Sequence, residues 1–136
     1  MTRNGLLPIV RIEIVKGFDS VYRKKLLDGV HQALVDSFKI LDSDRNQLMY
    51  ELDDEHFERS ANKSRSFTII EVTAFRGRSR EAKRMLFRTI VENLKTSPGI
   101  EPKDILITIN EPELVNWGVH GGKCADETDL GFNVNV

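Results

Sequence analysis

The chain is poor in cysteine and aromatics and carries no charge imbalance. A single cysteine, Cys124, stands in 136 residues. It cannot close an internal disulfide, which excludes a disulfide-stapled secreted scaffold and fits a reducing compartment. The formal net charge is −1, so no bulk field draws the chain to nucleic acid or to an anionic membrane. No apolar run is long enough to span a bilayer. The opening stretch Met1-Thr-Arg-Asn-Gly-Leu-Leu-Pro8 lacks the apolar core of a secretory signal. No glycine-rich phosphate loop or dinucleotide fingerprint occurs. These absences predict a cytoplasmic protein with no nucleic-acid and no membrane partner.

What is present is a repeat. Gly17 and Gly77 sit 60 residues apart, and their surroundings recur at that offset. Pro8-Ile-Val-Arg-Ile-Glu-Ile-Val-Lys-Gly17 parallels Thr68-Ile-Ile-Glu-Val-Thr-Ala-Phe-Arg-Gly77. Asp19 matches Ser79, Leu26 matches Leu86, Val30 matches Ile90 and Leu34 matches Leu94. Ile40 matches Ile100, Asp44 matches Asp104 and Glu51 matches Glu111. Self-similarity of this kind marks one supersecondary unit used twice. With 40% hydrophobic residues, the chain has enough for one shared core.

Each unit reads as strand, helix, strand. Ile9, Val10, Ile12, Ile14 and Val15 are β-branched and partly alternating, which predicts a strand with one well-buried face. Gly17 ends it and Asp19 is a good helix N-cap. Leu27, Val30, Leu34 and Phe38 then follow at helical spacing across Ser20–Phe38. A loop from Lys39 to Asp44 leads to a second strand over Asn46–Leu52. In the second unit a strand spans Phe67–Phe75, and Ser79 caps a helix from Arg80 to about Lys95. Its apolar stripe is Ala82, Leu86, Ile90 and Leu94. Ser97-Pro98-Gly99 stops that helix, and Ile105–Asn110 closes the unit.

A crossover helix implies parallel pairing inside each unit. The predicted class is α+β: two β-α-β repeats, residues 8–52 and 67–111, forming a four-stranded sheet with two helices on one face. Residues 1–136 make a single domain, with a charged linker at 53–66 and a tail at 118–136. The other sheet face lacks a cover within the chain, so it is expected to meet partner subunits in a symmetric oligomer. Phe132, Val134 and Val136 alternate as a short added strand would.

Arg76 and Arg78 flank Gly77 between strand and helix. Their first-unit counterparts are Lys16 and Phe18, so the arginine pair is not inherited from the repeat. Two guanidinium groups at a strand end can grip a carboxylate in bidentate fashion; the plainer reading is a solvated basic turn. Other signals are weaker. His56 follows Asp53-Asp-Glu without a recognised zinc spacing. His31 and His120 have no obvious partner, and Cys124 lacks an identifiable base. The Arg76–Arg84 cluster has no interleaved aromatics, which argues against nucleic acid.

Together these residues resemble the tautomerase superfamily, typified by 4-oxalocrotonate tautomerase and fused-repeat relatives such as malonate semialdehyde decarboxylase. The likeness runs from Pro8 to about Lys123. It rests on the strand Pro8-Ile-Val-Arg-Ile-Glu-Ile, the turn Gly77-Arg78-Ser79, the closing Asn110-Glu111 and the element Asn116-Trp117-Gly118-Val119-His120-Gly121-Gly122. The resemblance implies a homotrimer acting on a small-molecule carboxylate, by isomerase or decarboxylase chemistry, with no metal and no organic cofactor. It places Pro8 where the family has an N-terminal acid–base amine. It gives Arg76 and Arg78 the substrate carboxylate, Asp44 a water or the amine's protonation state, and Trp117 a pocket wall. For Asp44 a loop cap is an equal alternative, and for Trp117 an anchor for the C-terminal segment.

The sequence sets one condition on this chemistry. Pro8 follows seven residues, so its nitrogen is a tertiary amide with no basicity and no proton to give. The amine exists only if residues 1–7 are trimmed, or if translation begins at Leu7 and that residue is removed. Two functions therefore stand side by side. One is a cofactor-free tautomerase or decarboxylase. The other is an inactive trimeric homologue that binds a small anion or serves as an interaction module.

Overall fold

The first strand, β1 (Ile9–Val15), buries Val10, Ile12 and Ile14 on one face, as its alternation requires. The computed structural model describes residues 8–129. Asp19 caps α1 (Ser20–Phe38), its carboxylate accepting the backbone N–H of Tyr22 at 2.8 Å. The chain returns through β2 (Asn46–Leu52). The second unit repeats the path as β3 (Thr68–Thr73), α2 (Arg80–Thr96) and β4 (Ile105–Asn110), with Ser79 accepting from Ala82 N–H at 3.1 Å. The expected strand from Phe67 to Phe75 is shorter at both ends, because the chain must turn out of the sheet toward Gly77, whose φ is 121°.

The sheet order is β2-β1-β3-β4. β1 pairs parallel with β2 and β3 parallel with β4, as two crossover units demand; β1 and β3 meet antiparallel at the centre. Both helices lie on one face. Leu26, Val30, Leu34 and Phe38 from α1 and Leu86, Ile90 and Leu94 from α2 pack on Val10, Ile12, Ile70 and Val72. Leu27 lies at the edge of this core and Leu26 is fully buried in its place. The face is rotated because α1 also packs against α2. Gly29 makes that approach possible, since a Cβ there would come within 2.9 Å of Leu94 Cδ2.

The recurrence runs past the strands. A short 3₁₀ turn at Asp54–His56 is matched by one at Leu114–Asn116, and each ends in an aromatic residue, Phe57 and Trp117. His56 N–H donates to Asp53 O at 2.8 Å, and Asn116 N–H to Glu113 O at 2.8 Å. The second sheet face is partly covered from within the chain, contrary to expectation. Phe75, at the end of β3, packs with Val119 and Ala125, and with Ile9, Leu114 and Trp117, in a second small core. A two-stranded hairpin, β5 (Gly118–Val119) and β6 (Lys123–Cys124), carries that cover. The edge strands of this face keep Leu48 and Tyr50 (β2) and Leu106 (β4) exposed. Phe132, Val134 and Val136 lie outside the described residues.

Candidate functional site

Register decides what meets at each end of the sheet. Ile9 pairs with Asn46 on β2 and with Thr73 on β3, while Thr73 pairs with Asn110 on β4. The starts of β1 and β2 therefore share one end with the finishes of β3 and β4. Pro8, Asp44, the Ala74–Arg78 turn and the segment after Asn110 all gather there, although they are far apart in the chain. Pro8 is buried at the mouth of β1.

The two arginines have different environments. Arg78 is only 7% exposed. Its Nη1 donates to Phe75 O at 3.2 Å, and its Cζ lies 4.9 Å over the ring of Phe38. The solvated-turn reading therefore does not describe Arg78. Arg76 is exposed, its Nη1 a loose 3.9 Å from Glu113 Oε1. Gly77 between them turns the chain so that one side chain goes inward and the other out.

Asp44 is buried, and its backbone N–H donates to Leu41 O at 3.0 Å. The repeat mate makes the same turn, Asp104 N–H donating to Glu101 O at 2.9 Å. Asp104 sits at the opposite end of the sheet and holds the linker. It accepts Ser64 N–H at 2.9 Å and Ser64 Oγ–H at 2.5 Å. Burial pushes its carboxyl up, but the Ser64 bonds and the nearby Lys103 and Lys63 outweigh this and hold it below the ordinary range.

Trp117 stacks at a tilt on Phe75, with ring centroids 4.8 Å apart, and its indole N–H donates to Pro112 O at 3.0 Å. Its carbonyl accepts Ala125 N–H at 3.0 Å. It thus anchors the C-terminal segment over the mouth of β1. Lys83, on the first turn of α2, reaches Glu111 at the end of β4 at 2.6 Å.

Two residues escaped the sequence reading. Phe38 enters the site as the ring beneath Arg78; its helical spacing marked it as core only. His31 has a partner after all: buried on α1, its Nε2 lies 2.9 Å from Asp42 O and 3.1 Å from Asp42 Oδ1. Both atoms are acceptors, so Nε2 carries the proton. The bond ties α1 to the loop that delivers Asp44. His120 is also partnered, its Nε2 3.1 Å from Asp129 O.

The discounted groups stay peripheral. Asp53, Glu55 and His56 bring ligand atoms within 4.8 Å of one another, all exposed. The same turn recurs at Glu113–Asn116 without a histidine. Desolvation and the nearby carboxylates of Asp126 and Glu127 push the Cys124 thiol up, away from nucleophilic character. A groove of about 410 Å³ between the helices is lined by polar residues such as Lys25, Gln32 and Asn93, away from this end of the sheet. Among the described residues, no helix is long and apolar enough to cross a membrane.

Known proteins with this arrangement are consistent in kind. A family model described as tautomerase enzyme matches residues 44–120, and a second of the same description matches residues 8–60. The probable tautomerase YrdN of Bacillus subtilis (strain 168) is 28% identical over 116 residues, covering 82% of this chain and 89% of its own. The structure of FG41 malonate semialdehyde decarboxylase inhibited by 3-bromopropiolate is 30% identical, with a TM-score of 0.76 over 86% of this chain and 92% of that one. A fused 4-OT asymmetric trimer has a TM-score of 0.79 at 19% identity, over 88% of this chain and 98% of that one, and speaks to the fold alone.

Proposed function

This chain belongs to the tautomerase superfamily, and from that premise we propose that it moves a proton on a small keto, enol or semialdehyde carboxylate, by tautomerisation or decarboxylation. The observation that carries the reading is the gathering of Pro8, Asp44, Arg78 and Trp117 at one sheet end. Arg78 holds the substrate carboxylate from within the protein, where water screens the charge least. Arg76 joins from the surface by leaving its loose contact with Glu113, an exposed pair of little energy. Trp117 and Phe75 wall the site and keep water out. Asp44 positions water or sets the protonation of the amine.

Pro8 supplies the proton transfer when it is the first residue. A free α-amino group titrates at roughly 7.7–8.0. Burial and the Arg78 cation both disfavour the protonated form, which moves the amine toward neutrality and makes it an effective base. In the chain that begins at Met1, the same nitrogen is acylated. That observation favours a second reading for the uncut form: the site binds a small anion and performs no proton transfer.

The open part of this sheet face, with Leu48 and Tyr50 on one edge strand, Leu106 on the other and Arg11, Glu13 and Glu71 on the central strands, we read as the interface of a homotrimer. Fused 4-OT proteins of this fold are described as trimers. Sedimentation velocity should give three times 15.5 kDa; a monomer would refute it.

The deciding experiment compares a protein produced from Pro8 with the full chain. Ketonisation of phenylenolpyruvate and decarboxylation of 3-oxopropanoate are followed, alongside intact mass of the protein from its native host. Turnover by the Pro8-first form that is lost in Pro8→Ala supports the enzyme. Equal turnover with residues 1–7 attached refutes a proline mechanism.

A further inference from the structure

Phe38 places an aromatic ring against the buried guanidinium of Arg78, at the end of the sheet that holds Pro8. Phe38 is the last residue of α1 and 2% exposed. The guanidinium carbon of Arg78 lies 4.9 Å over its ring. Building on the reading of Arg78 as the carboxylate holder, we propose that Phe38 is a positioning residue for substrate recognition: its ring supports the face of the Arg78 guanidinium and fixes the plane in which that group meets a carboxylate.

Three points carry this. A cation that is 7% exposed has lost most of its hydration and needs electrostatic compensation. An aromatic face attracts a cation without consuming any of its five N–H donors. The ring lies over the cation while Phe75 O accepts from Nη1 at 3.2 Å. One contact acts on the face and the other on the edge, which together set the tilt of a planar group whose bidentate bonding depends on its plane.

The pair is not a by-product of the duplication. The mates of Arg78 and Phe38 are Phe18 and Pro98. Phe38 is itself held rigidly. It belongs to the main core, and α1 stops there as Lys39 turns to φ 57°, with its Nζ donating to Asp36 O at 2.6 Å.

The test uses malonate as a carboxylate probe and malonamide as its uncharged control, with Phe38→Leu, Phe38→Met, Phe38→Tyr and Arg78→Ala. Binding is measured by calorimetry, and the Arg78 side-chain N–H by ¹⁵N–¹H spectra assigned with Arg78→Lys. We expect ring-current upfield displacement of the Arg78 signal in the parent, lost in Phe38→Leu and Phe38→Met. Malonate Kd should rise about tenfold in both, the scale of a desolvated cation–aromatic contact, while Phe38→Tyr stays within about threefold of the parent at matched thermal stability to Phe38→Leu. Malonate Kd unchanged in Phe38→Leu and Phe38→Met, while Arg78→Ala abolishes binding, overturns the proposal. So does a parent Arg78 signal without ring-current displacement, which needs no variant to fold. Unchanged binding in Arg78→Ala would instead remove the carboxylate reading of Arg78 on which the proposal stands.

Discussion

The two ends of the sheet are built from the same skeleton and differ in chemistry. At one end, Phe18 follows Gly17 and stacks on Tyr22 with ring centroids 4.0 Å apart. Arg65 from the linker lies over the Phe18 ring at 5.9 Å and donates to Lys16 O. At the other end, Arg78 follows Gly77, Ala82 takes the place of Tyr22, and Phe38 supplies the ring. Each end keeps a cation–aromatic contact, with the partners exchanged. Each cation donates to a backbone carbonyl, Lys16 O at the first end and Phe75 O at the second, but the first end takes its cation from the linker and fills its volume with rings. The second puts the cation on the strand turn, behind the mouth of β1. The duplicated frame is common to both ends, and a handful of substitutions give each end its own side chains.

The largest expected effect separates Pro8 from its mate Thr68. Thr68 is a fully buried chain amide in every form of the protein, so only one end can ever offer an amine. Freeing Pro8 should raise phenylenolpyruvate turnover by about 10³-fold over the full chain, within the range of a positioned general base. Steady-state rates on the two forms check it. Equal rates would mean that the ends differ less than proposed.

The next effect contrasts positions 78 and 18. Arg78→Ala should weaken malonate binding by about 10- to 100-fold, the worth of charge-assisted hydrogen bonds to a carboxylate. Phe18→Ala should leave that binding unchanged and instead cost about 2 kcal/mol of stability through lost ring packing. Calorimetry and urea unfolding on both variants read the two columns. A binding loss in Phe18→Ala would show that the ends communicate.

Asp104 and Asp44 give a third contrast. Asp104→Asn should cost about 2 kcal/mol, because an amide donor would face the Ser64 donors. The carboxyl of Asp104 sits below its ordinary value in the folded chain. The unfolded chain therefore takes up the proton first as pH falls. The stability contributed by Asp104 is complete above the unfolded value, about 3.9, and is lost as pH drops through the lower folded value. The gap between Asp104→Asn and the parent should be widest near neutral pH and should shrink as pH falls from about 3.9 through the lower folded value. Asp44→Asn should reduce turnover of the Pro8-first form more than it reduces stability.

Much of the frame was legible because it is written in local signals. Gly17, Asp19, Ser79 and the β-branched runs state their conformations within a few residues, and the 60-residue offset states the pairing. The site was legible only through resemblance. What brings the Gly77–Arg78 turn to the end that holds Pro8 is the antiparallel meeting of β1 and β3, a long-range register that no local pattern carries. Phe38 reads as core at helical spacing, and it is core; its contact with Arg78 exists only once α1 is laid across the sheet end. The linker reads as charged and irregular, yet Asp54–Phe57 repeats Leu114–Trp117 in backbone. The two share hydrogen-bond geometry and almost no side-chain chemistry, so composition hides the match. The Asp42 partner of His31 was missed because α1 and the loop after it fold back on each other only in three dimensions.

The smallest expected effect tests how far the duplication still governs both ends. Lys83–Glu111 at 2.6 Å and Arg23–Glu51 at 3.4 Å are repeat mates, each tying the start of a helix to the finish of its parallel strand. Both pairs are partly exposed, so screening limits each to about 0.5 kcal/mol. A double-mutant cycle with Lys83→Met and Glu111→Gln should return a coupling of that size, which shrinks as salt is added. The Arg23–Glu51 cycle should return less, since its geometry is longer. Arg23→Met should nevertheless destabilise more than Lys83→Met, because Arg23 Nη1 also donates to Phe18 O. Lys83 stands at the end that holds Pro8 and Arg78. If Lys83→Met lowered turnover of the Pro8-first form tenfold while costing only this half kilocalorie, the pair would have been recruited into the site. The line between inherited frame and acquired chemistry would then fall one residue deeper into α2.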